Sequence, residues 1–154
     1  MLNVDKVNIT GLDVTTEAAG AFVRDVFWQA RVAYTLQKAI EVTDPTSINY
    51  KDQLPYTPVH SGSGFLQAQY KKWSLGYSAL FSGSRYALGG NNAANSVAGW
   101  LVQDVSLSRN IQLKNCKLNI KAELNNLANE RYDVVRYFPM QGRSYKINIS
   151  IINF

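Results

Sequence analysis

Apolar and polar side chains alternate one by one along several stretches of this chain, and an extended strand sorts such a pattern onto two faces. Over 116–125, Cys116, Leu118, Ile120, Ala122 and Leu124 share one face, while Lys117, Asn119, Lys121, Glu123 and Asn125 share the other. A helix would mix these two sets around its circumference. Trp73, Leu75, Tyr77, Ala79 and Phe81 likewise oppose Ser74, Gly76, Ser78, Leu80 and Ser82, with Leu80 the exception. Trp28, Ala30, Val32, Tyr34 and Leu36 oppose Gln29, Arg31, Ala33, Thr35 and Gln37, and Tyr145, Ile147, Ile149 and Ile151 oppose Lys146, Asn148 and Ser150. Weaker strands are read over 7–16, 64–70 and 101–109. In the first of these the phase flips at Gly11, between Val7/Ile9 and Leu12/Val14, as a glycine-associated bulge would produce.

The chain therefore reads as all-β, an antiparallel meander of about seven strands. Each is close to or above the ~9 to 11 residues that a tilted strand needs to cross a bilayer, whereas soluble-sandwich strands cluster near ~5 to 6. The connections alternate. A short link is expected at 17–21, a long one with Pro45, Pro55 and Pro58 at 39–60, and a tight turn at Lys71-Lys72. A long Gly/Asn/Ser-rich loop follows at 83–98, a short link at 110–115 and a long one at 126–142. All long loops then fall at one end of the meander, as in membrane barrels with short periplasmic turns and long outer loops. A Greek-key sandwich has no reason to do this.

Composition excludes other classes. No apolar run approaches the ~18 to 20 residues of a membrane-spanning helix, so a membrane role has to come through strands. Residues 1–10 lack a basic stretch followed by an apolar one, so the chain is expected either to be cytoplasmic or to begin inside a longer precursor. One cysteine, Cys116, and one histidine, His60, argue against an internal disulfide and a metal cluster. The net charge of +5 is spread singly, with Lys71-Lys72 the one adjacent basic pair, which argues against nucleic acid. No nucleophile, base and orienting acid cluster at a recognisable spacing; Asp25, Asp104 and Glu123 are separate carboxylates, so no enzyme and no cofactor are expected. The nine tyrosines suit the interfacial belts of a membrane barrel, or the core of an ordinary β domain. The competing reading is a soluble β-sheet module whose apolar face lines a pocket for a small ligand.

Four segments carry a family resemblance. Asn126-Leu127-Ala128-Asn129-Glu130-Arg131-Tyr132 resembles the N-L-x-[DN]-x-x-Y segment of TonB-dependent receptors, and Pro139-Met140-Gln141-Gly142-Arg143-Ser144-Tyr145 resembles their P-x-P-G-R-x-[YF] approach to the last strand. Gln141 departs from that pattern, standing where a proline often precedes the Gly-Arg pair. Leu54-Pro55-Tyr56-Thr57-Pro58-Val59-His60 is similar to a proline-bracketed P-x-x-P-x-H stretch, and Ile9-Thr10-Gly11-Leu12-Asp13 to an [IV]-x-G-[VL]-[ED] strand. Physically, Gly142 suits a tight backbone where a side chain would clash, and Pro139 stiffens the approach.

The resemblance implies a bacterial outer-membrane barrel of about 22 strands with a plugged lumen, importing a metal chelate such as a siderophore, cobalamin or a glycan. Residues 1–154 would form roughly its last third, about seven C-terminal strands, without the plug or the earlier strands. The implied partners are outer-membrane lipid, the remaining barrel and plug, the TonB complex acting through that plug, and a small-molecule ligand. Arg85, Tyr86, Arg136 and Tyr137, in the long loops, are the candidate ligand contacts, while Tyr132 and Phe138 join Tyr137 as girdle or contact aromatics. Phe154 matches the terminal aromatic of the family, an assembly signal. It falls out of phase with Tyr145, Ile147, Ile149 and Ile151, a mismatch that a bulge or frayed end at Ile151-Ile152 would absorb.

Overall fold

A computed structural model describes residues 6–153. Seven strands form one antiparallel sheet: β1 (Val7–Val23), β2 (Val26–Glu41), β3 (His60–Tyr70), β4 (Trp73–Ser82), β7 (Trp100–Gln112), β8 (Cys116–Asn125) and β11 (Ser144–Asn153), each paired with its neighbour in that order. Two small hairpins sit in the long loops, β5 (Arg85–Tyr86) with β6 (Ser96–Val97), and β9 (Asp133–Val135) with β10 (Phe138–Pro139). The sheet is open, with β1 and β11 at its edges.

The first hairpin is longer than the alternation suggests. The expected link at 17–21 is strand, and the chain reverses at Arg24-Asp25 instead. Glu17-Ala18-Ala19-Gly20-Ala21 is too small and uniform to show two faces, yet cross-strand partners define them: Glu17 pairs with Arg31, Ala18 with Ala30, and Gly20 lies under Trp28. Nor does Gly11 mark a bulge. The ladder runs unbroken past it, and glycine is needed because a Cβ there would meet the Leu36 carbonyl at 2.9 Å. The register shift occurs between Ala21 and Val23, beside the turn. At the other edge, β11 pairs with β8 without a shift through Ile152↔Lys117, so the Ile151-Ile152 doublet is not a bulge. Phe154 lies outside the described residues.

Residues directly opposite in an antiparallel ladder point the same way, so one face can be followed across the whole sheet. Val14, Tyr34, Gly62, Phe81 and Leu101 lie in one row; Leu66, Tyr77, Val105, Leu124 and Tyr145 lie in another, nearer the short turns. The opposite face carries Glu17, Arg31, Gln67, Ser78, Asp104, Glu123 and Lys146. Neither face is covered. Ile147 and Ile149 are 73% and 64% exposed, and among the described residues the only buried hydrophobic side chains are Ala39, Ala87 and Val97. The accessible surface is 10874 Å², against about 7,800 Å² for a compact monomer of this mass. The soluble-module reading required Leu118, Ile120, Ile147 and Ile149 to line an enclosed core or pocket. Instead they form one open greasy surface, the arrangement of a barrel wall whose solvent is lipid.

Two polar groups on that surface are matched to each other. Gln103 points outward, and its Oε1 accepts a hydrogen bond from the Tyr77 hydroxyl at 2.7 Å. Pairing of this kind lowers the cost of placing an amide oxygen and a hydroxyl in hydrocarbon.

Candidate functional site

The three long loops meet at one end and pack on each other. Arg85 is the centre of that packing. Its guanidinium, 4% exposed, donates to the carbonyls of Asp133 (2.6 Å), Val134 (2.7 Å) and Ala98 (3.3 Å). Burial pulls its pKa below the ordinary guanidinium value, an effect opposed by Tyr56 and Asp133; a guanidinium stays charged regardless. One side chain thus ties the 83–99 loop to the β9–β10 hairpin. The 42–59 loop joins through backbone, with the Tyr56 N–H donating to the Tyr86 carbonyl at 2.7 Å and the Asn91 N–H to Asp52 Oδ2 at 3.3 Å. Within the 83–99 loop, Asn95 donates to the carbonyls of Gly89 and Gly90 and is itself buried.

The sequence-based site residues therefore separate. Arg85 is buried and bonds three carbonyls. Tyr86 is half-buried at the seam with the 42–59 loop. Arg136 and Tyr137 form the two-residue tip of the β9–β10 hairpin, where the Arg136 guanidinium lies 4.8 Å from the Tyr137 ring centroid. Tyr137 is 77% exposed, and Phe138 beside it is also exposed. Its left-handed φ of 66° is stabilised by the Asp133 carboxylate, which accepts its N–H at 3.0 Å. Tyr132 packs on Trp100 with ring centroids 4.8 Å apart, inside the cap. Trp100, Asn95 and Asp104 were not singled out as site residues from sequence; lone polar or aromatic residues in loops or strands give no periodic signal.

The two C-terminal motifs form a single clasp. Asn126 adopts φ 51°, which asparagine tolerates, and its buried amide accepts from the Glu130 N–H and donates to the carbonyls of Glu130 and Gln141. Its backbone N–H donates to Asp104 Oδ1 at 2.8 Å. Asn129, also left-handed at φ 54°, accepts the Arg143 N–H at 2.9 Å. Arg143 in turn donates to the Leu127 carbonyl at 2.7 Å. A Cβ on Gly142 would stand 2.9 Å from Asn129 Oδ1, so this glycine makes room for the clasp. The motif residues fasten the end of β8 to the start of β11.

Sequence comparison gives the wall a family. The sequence model of the TonB dependent receptor-like β-barrel matches residues 1–127. The chain belongs to the TonB-dependent receptor β-barrel family. Such barrels are bacterial outer-membrane proteins, receptors and transporters rather than enzymes.

Similar solved structures of TonB-dependent receptors share the fold. The siderophore receptor PiuA from Acinetobacter baumannii is 20% identical with a TM-score of 0.71, over 93% of this chain and 21% of that one. The ferric-catecholate import receptor Fiu from Escherichia coli K12, in a closed form, is 24% identical with a TM-score of 0.67, over 91% and 20%. BauA, the ferric preacinetobactin receptor of Acinetobacter baumannii, is 15% identical with a TM-score of 0.64, over 94% and 27%. The chain thus spans about a fifth to a quarter of each of these receptors. No curated protein matches it significantly.

In this receptor wall the second, polar face is the lumen side. Its charges pair in two places: on β8, Glu123 receives Lys121 (2.6 Å), Lys146 (3.8 Å) and the Asn148 amide (2.8 Å), and at the far edge Arg31 of β2 meets Glu17 of β1 at 3.2 Å. Nearer the short turns, Gln29, Gln67 and Ser74 hydrogen-bond in series across three strands. The lumen wall here is lined by amides and hydroxyls. No group of three or more His, Cys, Asp or Glu among the described residues is placed to hold a metal ion.

Proposed function

We propose that this chain is the C-terminal part of the barrel of a TonB-dependent outer-membrane importer, with the plug and the earlier strands supplied by the rest of a longer protein. The observation that carries this reading is the continuous apolar face across seven strands, open to the outside and backed by no core. The cargo is a ferric chelate, the ligand class named for the receptors that share the fold; the iron is cargo and not a cofactor. Ligand contact falls to the β9–β10 tip, half-buried Arg136 and exposed Tyr137, where a cation stacked on an aromatic ring suits an anionic or aromatic chelator, and to Tyr86 in the 83–99 loop. Arg85 positions that tip rather than touching the ligand, since it is buried and its guanidinium bonds the Asp133 and Val134 carbonyls beneath the tip.

Uptake of radiolabelled ferric catecholate by cells carrying the complete gene product tests both points. The double variant Arg136→Ala/Tyr137→Ala is expected to lower uptake at limiting chelate about tenfold, the equivalent of ~1.4 kcal/mol of contact energy. Unchanged uptake would remove the tip from the ligand path. Uptake of no ferric chelate by the unaltered protein would remove the cargo assignment.

A further inference from the structure

Charge is distributed unevenly between the two ends of the sheet. Arg24, Lys71, Lys72, Arg109, Lys114 and Lys117 lie at the short-turn end, against Asp25 as its one acid. That end alone accounts for a charge of +5, equal to the net charge of the whole chain, since the acidic and basic residues of the remaining sequence are equal in number. The basic residues that look scattered along the sequence are gathered by the meander into one rim.

On the outer face this rim has a definite structure. Tyr70, Trp73, Arg109 and Ile120 stand in one row across four strands. The Arg109 guanidinium lies 4.9 Å from the Trp73 ring centroid, and Lys71 Nζ lies 5.0 Å from that of Tyr70. Beside them Phe22 stacks on Trp28 at 5.6 Å, continuing the aromatic belt. Leu75 and Leu107 lead from this row directly onto the apolar face. Among the described residues, no carboxylate pairs with Lys71, Lys72 or Arg109; the ion pairs present are on the lumen side. Cations held at a membrane boundary over aromatic rings, with hydrocarbon-facing leucines next to them, match a lipid bearing a negative headgroup and two acyl chains.

We propose that the outer rim built on Tyr70, Trp73 and Arg109, with Lys71 and Lys72 in the adjoining turn, binds the phosphate headgroup of an anionic phospholipid in the leaflet at the short-turn side. This rests on the outer-membrane reading above. Charge complementarity selects the occupant: a zwitterionic lipid offers the rim as much positive as negative charge, and a neutral partner leaves the cations unmatched.

The test uses the complete gene product in vesicles of phosphatidylcholine alone or mixed equally with phosphatidylglycerol. Brominated lipids of each headgroup quench nearby tryptophan, and Trp73 and Trp28 report from the rim. Each cation near an anionic surface is worth about a fivefold preference. Brominated phosphatidylglycerol is expected to bind at least roughly tenfold more tightly than brominated phosphatidylcholine, and the preference should shrink in high salt. In K71Q/K72Q/R109Q it is expected to fall to within about twofold of unity, whereas the control K6Q/K38Q/K51Q, at the opposite end of the sheet, keeps it. Equal quenching by both lipids, a preference that survives the rim triple, or one lost equally in the control would overturn the site. Heat-modifiable migration on gels, run on every sample, separates the two claims. A protein that inserts as a heat-modifiable barrel but shows no lipid preference refutes the rim alone; one that never becomes heat-modifiable refutes the outer-membrane reading and the rim with it.

Discussion

The strand wall and the loop cap of this chain solve opposite problems. In the wall, large aliphatic side chains stay exposed and the backbone satisfies itself through the ladder, because lipid rewards the first and demands the second. In the cap, which faces water, the polar groups turn inward. Arg85, Asn95 and Asn126 are buried and bonded to carbonyls, and the hydrophobic residues buried among the described ones, Ala39, Ala87 and Val97, lie there or on the strand beneath it. An irregular loop has few ladder bonds, so side-chain amides and one guanidinium bond the carbonyls that neighbouring strands bond in the wall. The two regions should therefore fail differently when altered.

The largest effect is expected at the lipid face. Ile147→Arg places a charge on the outer surface beside Ala122 and Leu107, inward of the rim row, and should cost about 2–4 kcal/mol of barrel stability. Ser150→Arg, on the same strand and facing the lumen, should cost close to nothing. Urea titration of the barrel in vesicles reads both, and equal losses would mean that the faces are assigned the wrong way round.

Next comes the cap. Arg85→Met keeps the length of the side chain but strands the Asp133 and Val134 carbonyls, at a cost of roughly 2–3 kcal/mol confined to the loops. Limited proteolysis should then cut within 83–99 and 133–139 while insertion of the wall is unaltered. Loss of both together would show that cap and wall form one cooperative unit.

The smallest effect concerns acid. Asp44 Oδ1 accepts the Thr46 N–H at 2.8 Å and the Thr46 hydroxyl at 2.7 Å, and these bonds, the backbone one first, hold its carboxyl below its ordinary pKa. A lowered pKa means that the ionised form stabilises the turn. That contribution is complete above the usual carboxylate value near ~3.9 and fades as pH falls through the lower folded value. Amide exchange at Thr46 should accelerate only in that acidic window, and Asp44→Asn should abolish the pH dependence; acceleration already near neutral pH would contradict the assignment.

Much of the wall was legible from residue order because a strand repeats every two residues, and four segments show that period almost without error. The legible part ended where the period did. Glu17-Ala18-Ala19-Gly20-Ala21 looked like a link because small residues fit either face, and only pairing with Arg31, Ala30 and Trp28 shows it to be strand. Gly11 looked like a bulge because its flanking apolar residues change phase, but the ladder runs unbroken past it and the glycine serves a close approach to the Leu36 carbonyl. For the candidate site, sequence located the loops and not the roles. Arg85 and Arg136 are both arginines in long loops, and nothing local distinguishes a staple from a tip.

Residue order by itself determined that this chain makes long antiparallel strands with one greasy and one polar face, since alternation is a local property of consecutive side chains. Tertiary structure alone decided that the greasy face stays uncovered, that Arg85 turns inward while Arg136 and Tyr137 stand out, and that cations far apart in sequence share one rim. These depend on which strands become neighbours and how loops from distant segments meet, and such contacts carry no periodic trace in the chain.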